Sequence, residues 1–388
     1  MSPVKTDICI LGGGIMGLST AYHISKNSDS EVLLIDRYGV GNELCSSNDI
    51  NRVFRYSYGS DELYTRMAVE CLRLWRRLER DSDQDLLLQT GLLLLQGEDR
   101  NANAFNESSF RTLAKLGLEA DEFGGSELKQ RFPQFRAERA FFDPHGGVLL
   151  ASKALQTLHA LADAKGVRFL QGQVKTTSSE YYFQTAPGDV QSIDFRKLVV
   201  TVGPWTNDLL GKGMPRITPT RQQVVYLRPG SNLDQFRPAK CPVFFADKHY
   251  GLPAAGIDGI KISPKELDER VDPENVKRVV DDYQIADCRG ACRRFLPNVA
   301  DGEVLSTKVC LYDMTENSDF VIDRDPEHET IIYGYGFSGH GFKFAPLIGK
   351  LLAQLALDEV PSLDLSRFSA SSAKRLRPTI GAHLGKGE

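Results

Sequence analysis

Two glycine-rich turns stand near opposite ends of the chain. They are Gly12-Gly13-Gly14-Ile15-Met16-Gly17 and Gly334-Tyr335-Gly336-Phe337-Ser338-Gly339-His340-Gly341-Phe342-Lys343. The first has the spacing of a dinucleotide-binding turn. Gly12 permits a tight exit from a strand, Gly14 lets backbone approach a pyrophosphate, and Gly17 lets the following helix pack closely. That helix start offers free N–H groups and the positive end of a dipole to an anion. Asp36 follows Gly17 by 19 residues, close to the spacing of a carboxylate that accepts from adenosine ribose hydroxyls and repels a 2′-phosphate. The second turn ends on a cation, Lys343. A cofactor gripped from both ends of the chain points to FAD rather than to NAD.

The elements that must position these turns are legible in the apolar pattern. Ile8 to Leu11 and Glu31 to Asp36 are short, nearly continuous apolar runs, as in strands buried on both faces. Between them, Ile15, Leu18, Ala21 and Tyr22 give helical spacing over Ile15 to Lys26, which completes one βαβ unit. A helix is expected over Asp61 to Arg80, with Leu63, Met67, Cys71, Leu74 and Leu78 on one side. Leu86 to Gln96 reads as a strand that opens a different architecture. Gly146 to Leu149, a helix over Ala151 to Lys165, Val167 to Leu170 and Lys197 to Gly203 return to the α/β rhythm. Gln222 to Tyr312 reads as strand-rich, and Ile331 to Tyr333 brings back the first domain.

The fold class expected is α/β (α+β), with two interleaved domains. One, over 1–83, 143–215 and 316–388, binds the dinucleotide. The other, over 84–142 and 216–315, is an antiparallel-sheet substrate domain. Ser371 to Glu388 is small, polar and basic, a loosely held tail.

With 388 residues, 41% hydrophobic and 25% charged, the chain has an ordinary soluble composition. A formal net charge of −4 argues against a nucleic-acid partner. No apolar run reaches the roughly 20 residues of a membrane span. Neither a signal peptide nor a terminal Ser-Lys-Leu address is read, so a cytoplasmic location is expected, with the peroxisome as the other candidate. Seven scattered cysteines fit free thiols in a reducing compartment. Cys288 and Cys292 lack a second Cys/His pair nearby, so no metal site is expected.

Several segments together resemble the monomeric sarcosine oxidase family, within the wider group of D-amino-acid and glycine oxidases. They are Ile10 to Gly17, Asn51 to Gly59, Val200 to Asn207, Tyr250 to Pro253, Gly259 to Lys261, Val309 to Tyr312 and Gly336 to Phe344. The resemblance implies a glutathione-reductase-like FAD-binding Rossmann domain and a monomer. It implies a flavin held covalently through Cys310, where the residue alone reads as a small buried hydrophobe. Arg55 and Lys343 become a clamp on a substrate carboxylate. Lys261 becomes the cation that activates oxygen, although a lysine between Ile260 and Ile262 otherwise reads as pointing outward from a strand. Arg52 would lie near the flavin ring, and Tyr250 and Tyr312 would line the substrate cavity; both tyrosines could equally be core aromatics. FAD would also touch Ile15, Met16, Arg37, Ser47, Asn48, Gly203, Trp205, Phe337, Gly339, His340, Gly341 and Phe342. Val174 is placed at the adenine by topology.

Two positions depart from the family. Asn48 and Lys265 stand where the resemblance implies histidines, which changes the cavity's charge and weighs against sarcosine itself. Ser47 to Asn51 instead resembles the corresponding loop of fungal fructosyl amine and saccharopine oxidases. The implied reaction is oxidation of the secondary amine of an N-substituted amino acid to an imine, hydrolysed to amine plus carbonyl, with O2 reduced to H2O2. A flavin dehydrogenase with another electron acceptor, or a biosynthetic enzyme whose imine cyclises, would share the same cofactor residues. A flavin binder without turnover would have no use for Lys261.

Overall fold

The computed structural model describes residues 3–176, 181–186, 189–265 and 269–373. The terminal segment expected to be loosely held lies outside the described residues beyond Ala373.

The first βαβ unit consists of β1 (Val4–Leu11), α1 (Ile15–Asn27) and β2 (Val32–Asp36). β1 pairs in parallel with β2 on one side and with the strand Asp189–Val200 on the other. Arg168–Gln171 extends the parallel sheet beyond β2, and Ile331–Tyr335 extends it beyond Asp189–Val200. Both faces are covered, which explains the unbroken apolar runs. Side chains alternate along a strand. Ile8, Ile10, Leu34 and Val199 therefore join the core beneath α1 and the helix Ala345–Ala356. Cys9, Leu11, Leu33 and Leu198 point the other way, toward Phe183, Leu209 and Met214.

The second sheet runs in the order Val304–Met314, Thr218–Leu227, Ile260–Pro264, His249–Leu252, Val243–Ala246, Leu92–Leu95, Arg139–Asp143 and Asp121–Gly124. It is antiparallel except where Val243–Ala246 meets Leu92–Leu95 in parallel.

The elements differ from the sequence expectation at three places. Leu86 to Gln96 is not one strand. Gly91, at φ +76°, turns the chain, so Leu87–Leu88 joins a small sheet with Gly147–Leu149 while Leu92–Leu95 enters the second sheet. The stretch from Gln222 to Tyr312 contains a helix, Asp282–Phe295. Its Cys288, Cys292 and Phe295 share one face and bury against Val225, Ile262 and Phe244 of the second sheet. In the helix Glu62–Ser82, Leu63 and Leu74 are only partly buried, while Tyr64 and Trp75 are fully buried. The amphipathic face is rotated because the indole of Trp75 donates to the Lys343 carbonyl at 2.8 Å and ties this helix to the second glycine turn.

The first turn has no room for a side chain at Gly17. A Cβ there would stand 1.9 Å from the Gly12 carbonyl oxygen and 2.9 Å from Thr201 Oγ1. Backbone on one side cannot yield as a side chain can, so Gly17→Ala should destabilise the fold by about 1–3 kcal/mol and weaken FAD retention. Thermal unfolding and the flavin-to-protein absorbance ratio of the purified variant measure both. An unchanged melting temperature with full flavin would contradict the tight crossing.

Candidate active site

A cavity of about 540 Å³ runs from the first glycine turn to the junction of the two large sheets. At its first end stands the start of α1. That helix carries no acidic residue in its first turn and no side-chain cap, and the Ile15 N–H donates to Ser47 Oγ at 3.0 Å. Gly12, Gly14, Ile15 and Met16 line the wall here. An uncapped helix N-terminus facing a cavity fits an anion. Asp36 also lines the wall, and it accepts from the N–H groups of Gly13 (2.8 Å) and Tyr38 (2.9 Å). Burial pushes its pKa up while these N–H groups pull it down. Asn42 Nδ2 donates to the same carboxylate at 3.2 Å, and a carboxylate has about four acceptor positions, so one ribose hydroxyl can still be accommodated. Arg37, Val174, Gly203 and Trp205 complete this end. Glu274 ties Arg37 to Trp205, whose indole N–H donates to it at 2.8 Å.

The other end is built from the second sheet, the Arg52–Phe54 strand and the second glycine turn. Phe337, Gly339, His340, Gly341, Phe342 and Lys343 form one side. Lys343 is 4% exposed, and its ammonium donates to Tyr58 Oη (2.8 Å) and the His340 carbonyl (2.6 Å). Arg55, 3% exposed, lies with Cζ 4.0 Å from the Tyr58 ring centroid and donates to the Ser57 carbonyl. Burial, then the Arg55 charge, holds the Lys343 pKa well below its ordinary value. Burial lowers that of Arg55 as well. Two desolvated cations facing one cavity are an anion-binding arrangement. Tyr250 and Tyr312 also line the cavity, and burial raises the Tyr250 hydroxyl to about 12.

Lys261 points inward, not outward as an isolated strand lysine would. It is 0% exposed, and it donates to Asp49 Oδ2 at 2.7 Å and to the Asn51 carbonyl at 2.8 Å. Burial lowers its pKa to about 8, against the upward pull of Asp49. Asp49 also binds the Arg52 guanidinium and accepts from Tyr226 Oη at 2.7 Å. Burial raises its pKa, but Lys261 and Arg52 outweigh that, and the carboxyl is held well below the usual range. Arg52 donates onward to Cys310 Sγ at 3.3 Å and to the Ser46 carbonyl at 2.8 Å.

Of the residues singled out from the sequence, Gly17, Asn48 and Cys310 do not line the cavity wall, and the rest do. Gly17 lies in the helix crossing. Asn48 fastens its loop, donating to the Gly41 carbonyl (2.7 Å) and accepting from Lys308 Nζ (2.8 Å). Cys310 stands behind Arg52 on the strand Val304–Met314. Sequence reasoning missed Asp49, Tyr58, Tyr226 and Asp313. Asp313 accepts from the Gly336 N–H at 2.8 Å and so fixes the second turn; burial raises its pKa to about 6. Nothing in the spacing of Asp49 marks it, because its partner Lys261 is 212 residues away.

The family model of FAD dependent oxidoreductases matches residues 7–355. Peroxisomal sarcosine oxidase of Mus musculus is 35% identical, over 97% of this chain and 98% of that protein. Monomeric sarcosine oxidase of Bacillus sp. (strain B-0618) is 28% identical, over 98% of each. Among solved structures, NikD, an amino acid oxidase essential for nikkomycin biosynthesis, superposes with a TM-score of 0.79 at 24% identity, over 94% of this chain and 97% of its own. A dinucleotide turn, a two-ended cavity and relatives that match over nearly the whole chain agree. This chain belongs to the FAD dependent oxidoreductases and, within them, to the monomeric sarcosine oxidase family.

Proposed function

We propose that the protein is an FAD-dependent oxidase of the secondary amine of an N-substituted amino acid. The observation that carries this is the convergence of Arg52, Arg55, Lys261 and Lys343 on one end of a cavity whose other end is a dinucleotide turn. Bound FAD supplies the acceptor for two electrons from a C–H bond beside nitrogen and passes them to oxygen as hydrogen peroxide. The first turn and Asp36 hold its pyrophosphate and ribose. The second turn, pinned by Asp313, would hold its ring end. Arg55 and Lys343 bind the substrate carboxylate and orient the amine. Tyr250 and Tyr312 enclose it and exclude water. The amine carbon loses a hydride and its nitrogen a proton; water then hydrolyses the imine to amine and carbonyl. Lys261 stabilises negative charge on oxygen as it is reduced.

The dinucleotide region takes 1–83, 143–215 and 316–388, and the substrate region 84–142 and 216–315, in line with the segments that supply the two large sheets. None of the seven cysteines is in a disulfide, which suits the cytoplasm or another reducing compartment. Among the described residues no helix is long and apolar enough to cross a membrane, and the exposed large apolar side chains are Val190, Val279, Tyr283 and Val360. These are too few for an extensive permanent interface, which supports a monomer.

The test is anaerobic mixing of holoenzyme with N-methyl and larger N-substituted amino acids. Flavin bleaching, followed by one peroxide per turnover in air, is expected. Bleaching without peroxide would replace the oxidase by a dehydrogenase, and absence of bleaching across the series would remove the amine-oxidase reading.

Cys310 is the proposed covalent attachment point: its sulfur stands behind the cavity wall but accepts from Arg52, which lines it, at 3.3 Å. Acid-precipitated wild-type protein should stay yellow. Cys310→Ser should release its flavin into the supernatant under the same treatment. A colourless wild-type precipitate would exclude the link.

A further inference from the structure

The substrate end of the cavity holds one cation more than a single carboxylate needs. Lys265 lines it, immediately after the strand Ile260–Pro264, and is 9% exposed. Its ammonium has no hydrogen-bond or ion-pair partner among the described residues. It instead lies 5.1 Å from the ring centroid of Phe245 and 5.8 Å from that of Phe105. Arg55 flanks the same two rings, at 5.3 and 5.8 Å. The two cations therefore stand around one aromatic pair on the same wall. The carboxylates among the described residues whose charge reaches Lys265, Asp99 and Asp247, are engaged elsewhere. Asp99 caps the helix Arg100–Lys115 through the Ala102 N–H and faces Lys248, while Asp247 pairs with Arg294 and accepts from the Asp99 N–H.

A buried ammonium without a carboxylate is costly unless a ligand compensates it. Arg55 and Lys343 are taken by the carboxylate that orients the amine. Aromatic faces give Lys265 only a modest attraction. We propose that the substrate carries a second anionic group on its N-substituent, a carboxylate, and that Lys265 receives it across the Phe245 ring. The substrate class is then an N-(carboxyalkyl) amino acid, a secondary amine between two carboxylates. This rests on the amine-oxidase reading for the chemistry, but not for the binding.

The test separates the two. Holoenzyme is titrated calorimetrically with non-oxidisable dicarboxylates from malonate to adipate, and with monocarboxylates of matched length. The best dicarboxylate should bind at least tenfold more tightly than its matched monocarboxylate. Lys265→Met should reduce that ratio to within about twofold, and Lys265→Arg should retain most of it. In turnover, the kcat/KM of N-carboxymethyl over N-methyl amino acids should show the same ratio and lose it in Lys265→Met.

Absence of a tenfold preference in the wild type would overturn the proposal, and that comparison needs no variant to fold. So would a preference that survives Lys265→Met. A third overturning result is an equal fall in kcat for every substrate in Lys265→Met, which would make Lys265 a proton acceptor instead. Dicarboxylate selectivity without oxidation of any amine would leave the two-anion site standing and remove the amine-oxidase reading alone.

Discussion

Lys261→Met should reduce its flavin with substrate at a rate within a few-fold of wild type, yet react with oxygen about 10²–10³-fold more slowly. That factor is the usual cost of removing one preorganised electrostatic group from a water-excluded site. Methionine matches the length of lysine and leaves Asp49 bound to Arg52 and Tyr226, so the wall should keep its shape. Stopped-flow mixing of the reduced enzyme with oxygen reads the second step alone. Normal reoxidation in this variant would remove Lys261 from the reaction. A pH dependence follows with a definite sign. The cation is the active form, and burial lowers its pKa to about 8. Oxygen reactivity of the wild type should therefore fall as pH rises through about 8, while the anaerobic half-reaction need not follow.

Asp49→Asn should have the largest effect on stability. One carboxylate with no exposed side-chain surface faces two cations, Lys261 and Arg52, and takes the Tyr226 hydroxyl as well. Asparagine keeps the outline but leaves buried positive charge uncompensated, which costs about 3–5 kcal/mol. The folded carboxyl is held below its unfolded value of about 4. Its contribution is therefore present above that value and is lost as pH falls toward the folded pKa. The variant should narrow its stability deficit toward wild type under acid conditions. Without Asp49, Lys261 loses the group that keeps it protonated, so the midpoint for oxygen reactivity should move below about 8. Denaturant unfolding and reoxidation profiles between pH 6 and 9 check both. Unchanged stability with an unmoved midpoint would show that Asp49 is a bystander.

The two ends of the cavity were not equally legible. The first glycine turn, α1 and Asp36 form a local unit, and their spacing encodes their function because about thirty residues fix one strand, one turn and one helix. The second turn was visible for the same reason. The substrate end was not local. The Lys261–Asp49 pair spans 212 residues, and the Lys343–Tyr58 contact spans 285. Lys261 read alone is an outward-facing lysine, and a family resemblance rather than its neighbours placed it at the flavin. Asp49, Tyr226 and Asp313 carried no signal in the sequence, since a buried carboxylate and a surface one look alike in a string of residues.

What the sequence determined by itself was the dinucleotide half: strands buried on both faces, glycines where backbone must approach backbone, and a helix start left open to an anion. Those features follow from sterics and periodicity within one short stretch. What only the tertiary structure decided was the charge balance at the other end. It depends on which strands of the second sheet lie side by side, on the turn at Gly91 that sends Leu92–Leu95 into that sheet, and on which lysines find a carboxylate there. Lys261 finds Asp49 and Lys265 finds none among the described residues, although the two are four residues apart on one strand and its exit. Electrostatics in a buried site is set by distances through space, and the order of residues along the chain does not contain them.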